Sequence, residues 1–251
     1  IWKAYLEAGV RRLSGGRLCK PFIAEQWENP CLYVSVGEDN QKPSSFELMQ
    51  STPLMMTPDS INGLPAYNSD PDLFIENGVL HVLNRVVYRT RLNDIDGSYE
   101  YKSNIFHIYG IIEQKLFKFQ GAELLIDSKR NMVSPCLTNY RGEYLLTELE
   151  TYAYNDGKTF GGLYVSRSKS IDGFKSDNKW EPIQVECEGF LPWHMSLFQD
   201  GGKLYSIVSC VKEGTARRLW QLLGEFDEGV TKLVVYNKPL TDYNSYRGSA
   251  V

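Results

Sequence analysis

The chain has 251 residues, 42% of them hydrophobic and 13% aromatic, with a formal net charge of −4. That length suffices for one sizeable buried core, and the acidic balance excludes a general nucleic-acid binder, because phosphate recognition wants a basic surface. No apolar stretch approaches the roughly 20 residues of a membrane-spanning helix, so no membrane span is expected.

Along the chain, Leu6, Val10 and Leu13 fall on one stripe and predict one or two amphipathic helical turns over Trp2 to Arg12, within a lead-in segment 1–25. Nearly everything afterwards has period two or short apolar runs bounded by turn residues. Leu32 to Val36 reads as a strand. Leu73-Phe74-Ile75 and Val79 to Leu83 read as a hairpin around Glu76-Asn77-Gly78. The same hairpin returns around Tyr140-Arg141-Gly142 and around Asp200-Gly201-Gly202. Third strands are predicted over Ile105 to Ile112, Gly162 to Ser166 and Leu219 to Phe226. Fourth strands are predicted over Leu116 to Phe119, Ile183 to Glu186 and Lys232 to Tyr236. Ser168 to Phe174 reads as a tight turn at a strand end and resembles the Asp-box turn of sialidases, a structural element. No linker or low-complexity stretch divides the chain, which predicts one domain over 1–251.

A phrase recurs loosely at intervals of roughly 40 to 60 residues, the period of sheet-built repeats. It is a polar or Pro-containing turn, an apolar strand, a Gly or Asn turn and a second strand. It begins at Glu28-Asn29-Pro30, Ser69-Asp70-Pro71-Asp72, Ser134-Pro135-Cys136 and Pro192-Trp193-His194, with a fifth start at Tyr246-Arg247. Such a repeat predicts an all-β, five-bladed β-propeller whose blade-opening residues gather at one axial pocket. The last blade runs out of chain, so the sequence is expected to be a piece of a longer one. The alternative is a ring closed by fewer strands. The five cysteines are widely spaced and never C-x-x-C, which indicates neither a zinc site nor a disulfide framework. Cys31, Cys136 and Cys210 lie in apolar strand patterns and read as small core residues.

The series Trp27-Glu28-Asn29-Pro30, Tyr67 to Leu73, Ser134-Pro135, Pro192-Trp193-His194 and Tyr246-Arg247 resembles five-bladed propeller proteins of bacteria and tailed phages. These are related to the family 43 and family 32 glycoside hydrolases. The resemblance spans about residues 25 to 251. It implies a general base Asp on the first blade, an orienting Asp on the second and a general acid Glu on the third. Inverting hydrolysis sets such a pair about 6.5 to 9.5 Å apart. In this register Asp72 matches the second-blade Asp, whereas the base position falls on Asn29 and the acid position near Ser134. No cofactor is expected, although some members of the family hold a divalent ion at the axis.

Several residues can substitute. Glu28, Asp70 and Asp72 are candidate catalytic carboxylates, since clustering and burial would raise at least one pKa. His194 can shuttle a proton, and Arg247 can clamp a sugar acid or sulfate. Glu148 and Glu150 are further acids whose strand position sets them farther out. Asn29, Ser134, Trp193, His194, Tyr246 and Arg247 are the candidate substrate-binding residues. Each has an ordinary reading too: Asp70 can cap a turn, Glu28 can lie in an exposed loop, His194 can be a satisfied core histidine, and Trp193 can be an inter-blade wedge. His81 and His107 have no acidic partner at metal-ligand spacing and read as structural.

Three functions compete. The first is a glycoside hydrolase acting on an oligosaccharide or polysaccharide. The second is a non-catalytic glycan-binding module of a phage tail or cell-surface assembly, extracellular or virion-associated. The third is a structural ring holding a partner protein. The missing acid and base favour the second over the first, and polar residues at every blade opening count against the third.

Overall fold

The computed structural model describes residues 4–7, 31–36, 45–48, 54–55, 60–61, 64–92, 99–113, 116–127, 132–154, 157–175, 179–212 and 219–240. They form strands β1 (Ala4–Glu7), β2 (Cys31–Val36), β3 (Ser45–Leu48), β4 (Ser60–Ile61), β5 (Leu64–Glu76), β6 (Val79–Leu92), β7 (Tyr99–Glu113) and β8 (Leu116–Asp127). After these come β9 (Met132–Tyr140), β10 (Glu143–Tyr154), β11 (Gly157–Ser168), β12 (Glu181–Glu186), β13 (Phe190–Asp200), β14 (Lys203–Lys212), β15 (Leu219–Phe226) and β16 (Lys232–Pro239). Among the described residues the only helical piece is one 3-10 turn, Ile171–Lys175. The chain divides into two compact units, Ile1–Arg130 and Asn131–Val251.

In the first unit β5 to β8 make an antiparallel meander, with the two-residue β4 on its β5 edge, and β1, β2 and β3 form a separate three-stranded sheet. Ala4–Glu7 is therefore a strand where a helical turn was expected. It pairs antiparallel with β2, Leu6 opposite Leu32. A local helical stripe gives way to the ladder bonds that a neighbouring strand offers, since propensity is a weak prior against tertiary pairing. Leu32 packs with Leu80, Val82 and Ile108, which ties the small sheet to the meander.

In the second unit β9 to β12 and β13 to β16 are two further four-stranded meanders. Parallel pairing of β12 with β16, Gln184 opposite Lys232, merges them into one eight-stranded sheet. The two ends of that sheet, β9 and β13, meet again: Ser134 and Cys136 bond the Met195 backbone, and the Gln199 amide donates to Thr138 and Asn139. The sheet nearly closes on itself around a core that includes Leu145, Leu149, Leu163, Met195 and Leu222. The fourth strand of each meander is the most exposed. β9 is buried along almost its whole length, while β12 and the outer half of β16 are largely exposed.

Each meander opens with a hairpin whose two turn residues both have positive φ: Asn77-Gly78, Arg141-Gly142 and Gly201-Gly202. Such mirror-image turns match the right-handed twist of the flanking strands, which is why Gly or Asn recurs there. The expected third and fourth strands are all present. After Ser168 the chain makes the expected tight turn, where the Gly173 N–H bonds Ser170 and a Cβ on Gly173 would meet the Ser168 hydroxyl at 2.0 Å. The described residues thus hold three four-stranded meanders and one three-stranded sheet. The fifth start at Tyr246-Arg247 lies outside them. Among the described residues no helix is long and apolar enough to cross a membrane.

Candidate functional site

The recurring phrase at the start of each meander is a bulge in the first strand. Pairing slips between Ser69 and Asp72, so Asp70 and Pro71 together oppose Asn84. It slips again between Val133 and Cys136, so Ser134 and Pro135 together oppose Glu148. A third slip falls between Pro192 and His194, at Trp193. Proline suits this place because a bulge needs no ladder N–H from it. An extra residue bends the strand and re-aims its neighbours, the usual use of a bulge beside a binding site.

Asp70, Ser134 and His194 stand at the same offset from the hairpin turn that follows, so they are equivalent positions in their three sheets. Asp70 (φ 46°) and Ser134 (φ 54°) both take the left-handed backbone conformation, which for a side-chain-bearing residue costs about 1–3 kcal/mol. Each is held there by a specific tie. The buried Asp70 carboxylate accepts Arg85 Nη1 at 2.7 Å, and Arg85 Nε donates to Ser103 Oγ at 3.0 Å. The buried Ser134 hydroxyl donates to the Met195 carbonyl at 3.2 Å, accepts the Met195 N–H at 3.0 Å and lies 3.5 Å from His194 Nδ1.

Within the first unit, Asp72 is buried at the bulge beside Asp70. Below them the Asn84 amide donates to Asn68 Oδ1 at 3.0 Å, and the Asn68 amide donates to the Met55 carbonyl at 3.1 Å. Within the second unit, His194 is buried, and the half-buried Trp193 stands edge-on to its ring, centroids 5.8 Å apart. The structure thus brings Asp70 and Asp72 to one bulge, and Ser134, Trp193 and His194 to the meeting of β9 and β13. Glu28, Asn29, Tyr246 and Arg247 lie outside the described residues.

Some partners are invisible in the sequence. Arg85 and Ser103 reach Asp70 only through the pairing of β5, β6 and β7. Glu148 is buried opposite the Ser134-Pro135 bulge, the place that Asn84 holds in its own sheet, while Glu150 accepts the Tyr164 hydroxyl at 3.3 Å. His107 has an acidic partner after all: its Nδ1 lies 3.4 Å from Glu123 Oε1, and its Nε2 is 2.9 Å from His81 Nδ1. The signal for that pair was strand register rather than sequence spacing. Burial, then the charge of His107, opposed by Glu76, lowers the His81 pKa to about 4. Among the described residues no group of three or more His, Cys, Asp or Glu is placed to hold a metal ion.

No family model and no curated protein matches the chain. Solved structures do. An N-acetylgalactosamine deacetylase from F. plautii, in complex with blood group B trisaccharide, is similar in fold at TM-score 0.59 and 12% identity, covering 93% of this chain. The chain spans 64% of the length of that protein. Exo-1,5-alpha-L-arabinanase from a bovine ruminal metagenomic library follows at TM-score 0.42 and 13% identity, over 83% of this chain and 90% of that one. An alpha-L-arabinanase from Cellvibrio cellulosa complexed with arabinohexaose has TM-score 0.42 and 13% identity, over 86% and 91%. At these identities the likeness is one of fold. The chain is an all-β protein of the propeller type, with buried polar residues at the bulges of its first strands.

Proposed function

We propose that this protein is a carbohydrate-active propeller that binds a glycan at the strand bulges of its second unit and does not hydrolyse it. The observation that carries this reading is Ser134. The resemblance puts the general acid near it, and its hydroxyl is engaged in both directions by the Met195 backbone. It has no carboxyl to donate a proton, and its role there is to join two strands. The charge of Asp70 is likewise matched by Arg85.

Buried polar groups at each bulge support a polar ligand, since a ring built only for structure gains by filling those places with apolar side chains. In the second unit Trp193 offers a ring face on which sugar C–H groups pack, and His194 offers hydrogen bonds to hydroxyls. The complex of the F. plautii deacetylase with a trisaccharide makes an oligosaccharide the natural ligand class. A phage tail or cell-surface assembly is the setting that the family resemblance suggests.

The test is a glycan-array screen of the full chain, with reducing-sugar and acetate release measured on every hit. Binding without release, weakened about tenfold or more by Trp193→Ala or His194→Ala, is the expected result. Release that vanishes in Asp72→Asn would overturn the non-catalytic half and restore a hydrolase. Silence in both assays would overturn glycan binding and leave a structural ring.

A further inference from the structure

We propose that His81, His107 and Glu123 form a proton relay that takes up one proton at the face of the first-unit meander and stores it on the buried His107. The two imidazoles are joined by a hydrogen bond, His81 Nδ1 to His107 Nε2 at 2.9 Å. Their centroids are 5.2 Å apart and their planes 15° from parallel. That separation matches the N···N distance plus one ring radius at each end. The rings therefore lie end to end in nearly one plane, the straight geometry along which a proton passes. At the far end His107 Nδ1 lies 3.4 Å from Glu123 Oε1. His107 is 5% exposed, and the half-buried His81 is the ring that solvent reaches.

Hydrogen counting fixes the resting state. An ionised Glu123 only accepts, so the hydrogen between it and His107 belongs to Nδ1. A neutral imidazole has one N–H, which leaves Nε2 of His107 as a lone pair. The hydrogen of the bond between the rings is therefore on His81 Nδ1, and His81 Nε2 is a lone pair too. A hydronium ion protonates His81 Nε2 and leaves as water, while the Nδ1 hydrogen crosses to His107 Nε2. His81 ends neutral, His107 carries the charge beside the Glu123 carboxylate, and the bond between the rings survives with its direction reversed. Around the pair, β5 presents Glu76 and Asp72, β6 Arg85, β7 Tyr109, and β8 Glu123 and Lys118. Arg85 is matched by Asp70 and Lys118 by Glu113, leaving Glu123 to favour the charge on His107. Burial and the charge of His107 hold the His81 pKa at about 4 against the pull of Glu76, so the pair stores one proton and refuses a second.

The chain has three histidines, the third being His194, so long-range nitrogen–proton NMR spectra of the full histidine-labelled protein resolve every ring. At about pH 8 both His81 and His107 should carry their hydrogen on Nδ1. As pH falls toward about 5, His107 should gain a second N–H while His81 stays neutral and moves its hydrogen to Nε2. Glu123→Gln keeps an acceptor oxygen but removes the charge, and should weaken proton uptake at His107 about tenfold or more. A His81 that becomes the cation first, a His107 with its hydrogen on Nε2 at the start, or two rings that stay neutral across that range would each overturn the relay. So would uptake at His107 that Glu123→Gln leaves unchanged. Because the tautomer readouts use the unmutated chain, a variant that fails to fold does not decide the outcome.

Discussion

Arg85 and Asp70 sit on paired strands with side chains only 7% and 4% exposed, and each has a use the other supplies. The guanidinium neutralises a carboxylate that lies on strained backbone, and its remaining donors reach Ser103. Removing one partner of a buried pair leaves an uncompensated charge, which costs about 3–5 kcal/mol. Arg85→Leu should lower stability by that amount in urea denaturation, and Arg85→Lys by less, since a lysine keeps the charge but loses the fork. A second residue-scale expectation concerns pH. His81 has a folded-state pKa of about 4 against an ordinary value of 6.5, so the folded protein disfavours its cation. The unfolded chain binds more protons between those values, and stability is complete above about 6.5 and drains away as pH falls toward 4. The urea midpoint should therefore drop between pH 7 and pH 4.5, and His81→Gln should flatten that slope. A slope unchanged by the substitution would assign the loss to other groups.

At the level of elements, the hairpin turns were legible because their chemistry is local. Asn-Gly, Arg-Gly and Gly-Gly each supply the positive φ that a two-residue turn demands. Gly142 has φ 79° and nothing within 4 Å of where a Cβ would stand, so Gly142→Ala should cost only the backbone strain, about 1–2 kcal/mol in thermal or chemical denaturation. Leu222→Ala, in the core of the second unit, should cost about 2–5 kcal/mol by leaving a cavity. The bulges were half legible. Ser-Asp-Pro-Asp and Ser-Pro marked where each meander starts, yet nothing in them disclosed that the extra residue opposes Asn84 or Glu148, because that depends on register with a strand many residues away. The same reason hid Arg85 from Asp70, and Glu123 from His107. The lead-in strand Ala4–Glu7 was misread for the complementary reason: its own residues suit a helix, and only the presence of β2 makes it a strand.

For the molecule as a whole, the contrast between buried inner strands and exposed fourth strands sets an order of stability. Amide hydrogen exchange should be slowest along β9 and β14 and fastest along β12 and the outer half of β16. Uniform protection across a meander would contradict that order. The eight-stranded sheet of the second unit also has just two terminal strands, β9 and β13, and it turns them toward each other. A strand with unpaired backbone groups is a template on which a second chain can assemble. Here the Ser134 hydroxyl occupies the Met195 N–H and carbonyl that an incoming chain would seek. Ser134 thus also guards solubility: loosening it would expose a sticky seam, and Ser134→Ala protein should self-associate at concentrations where the unaltered chain stays monodisperse.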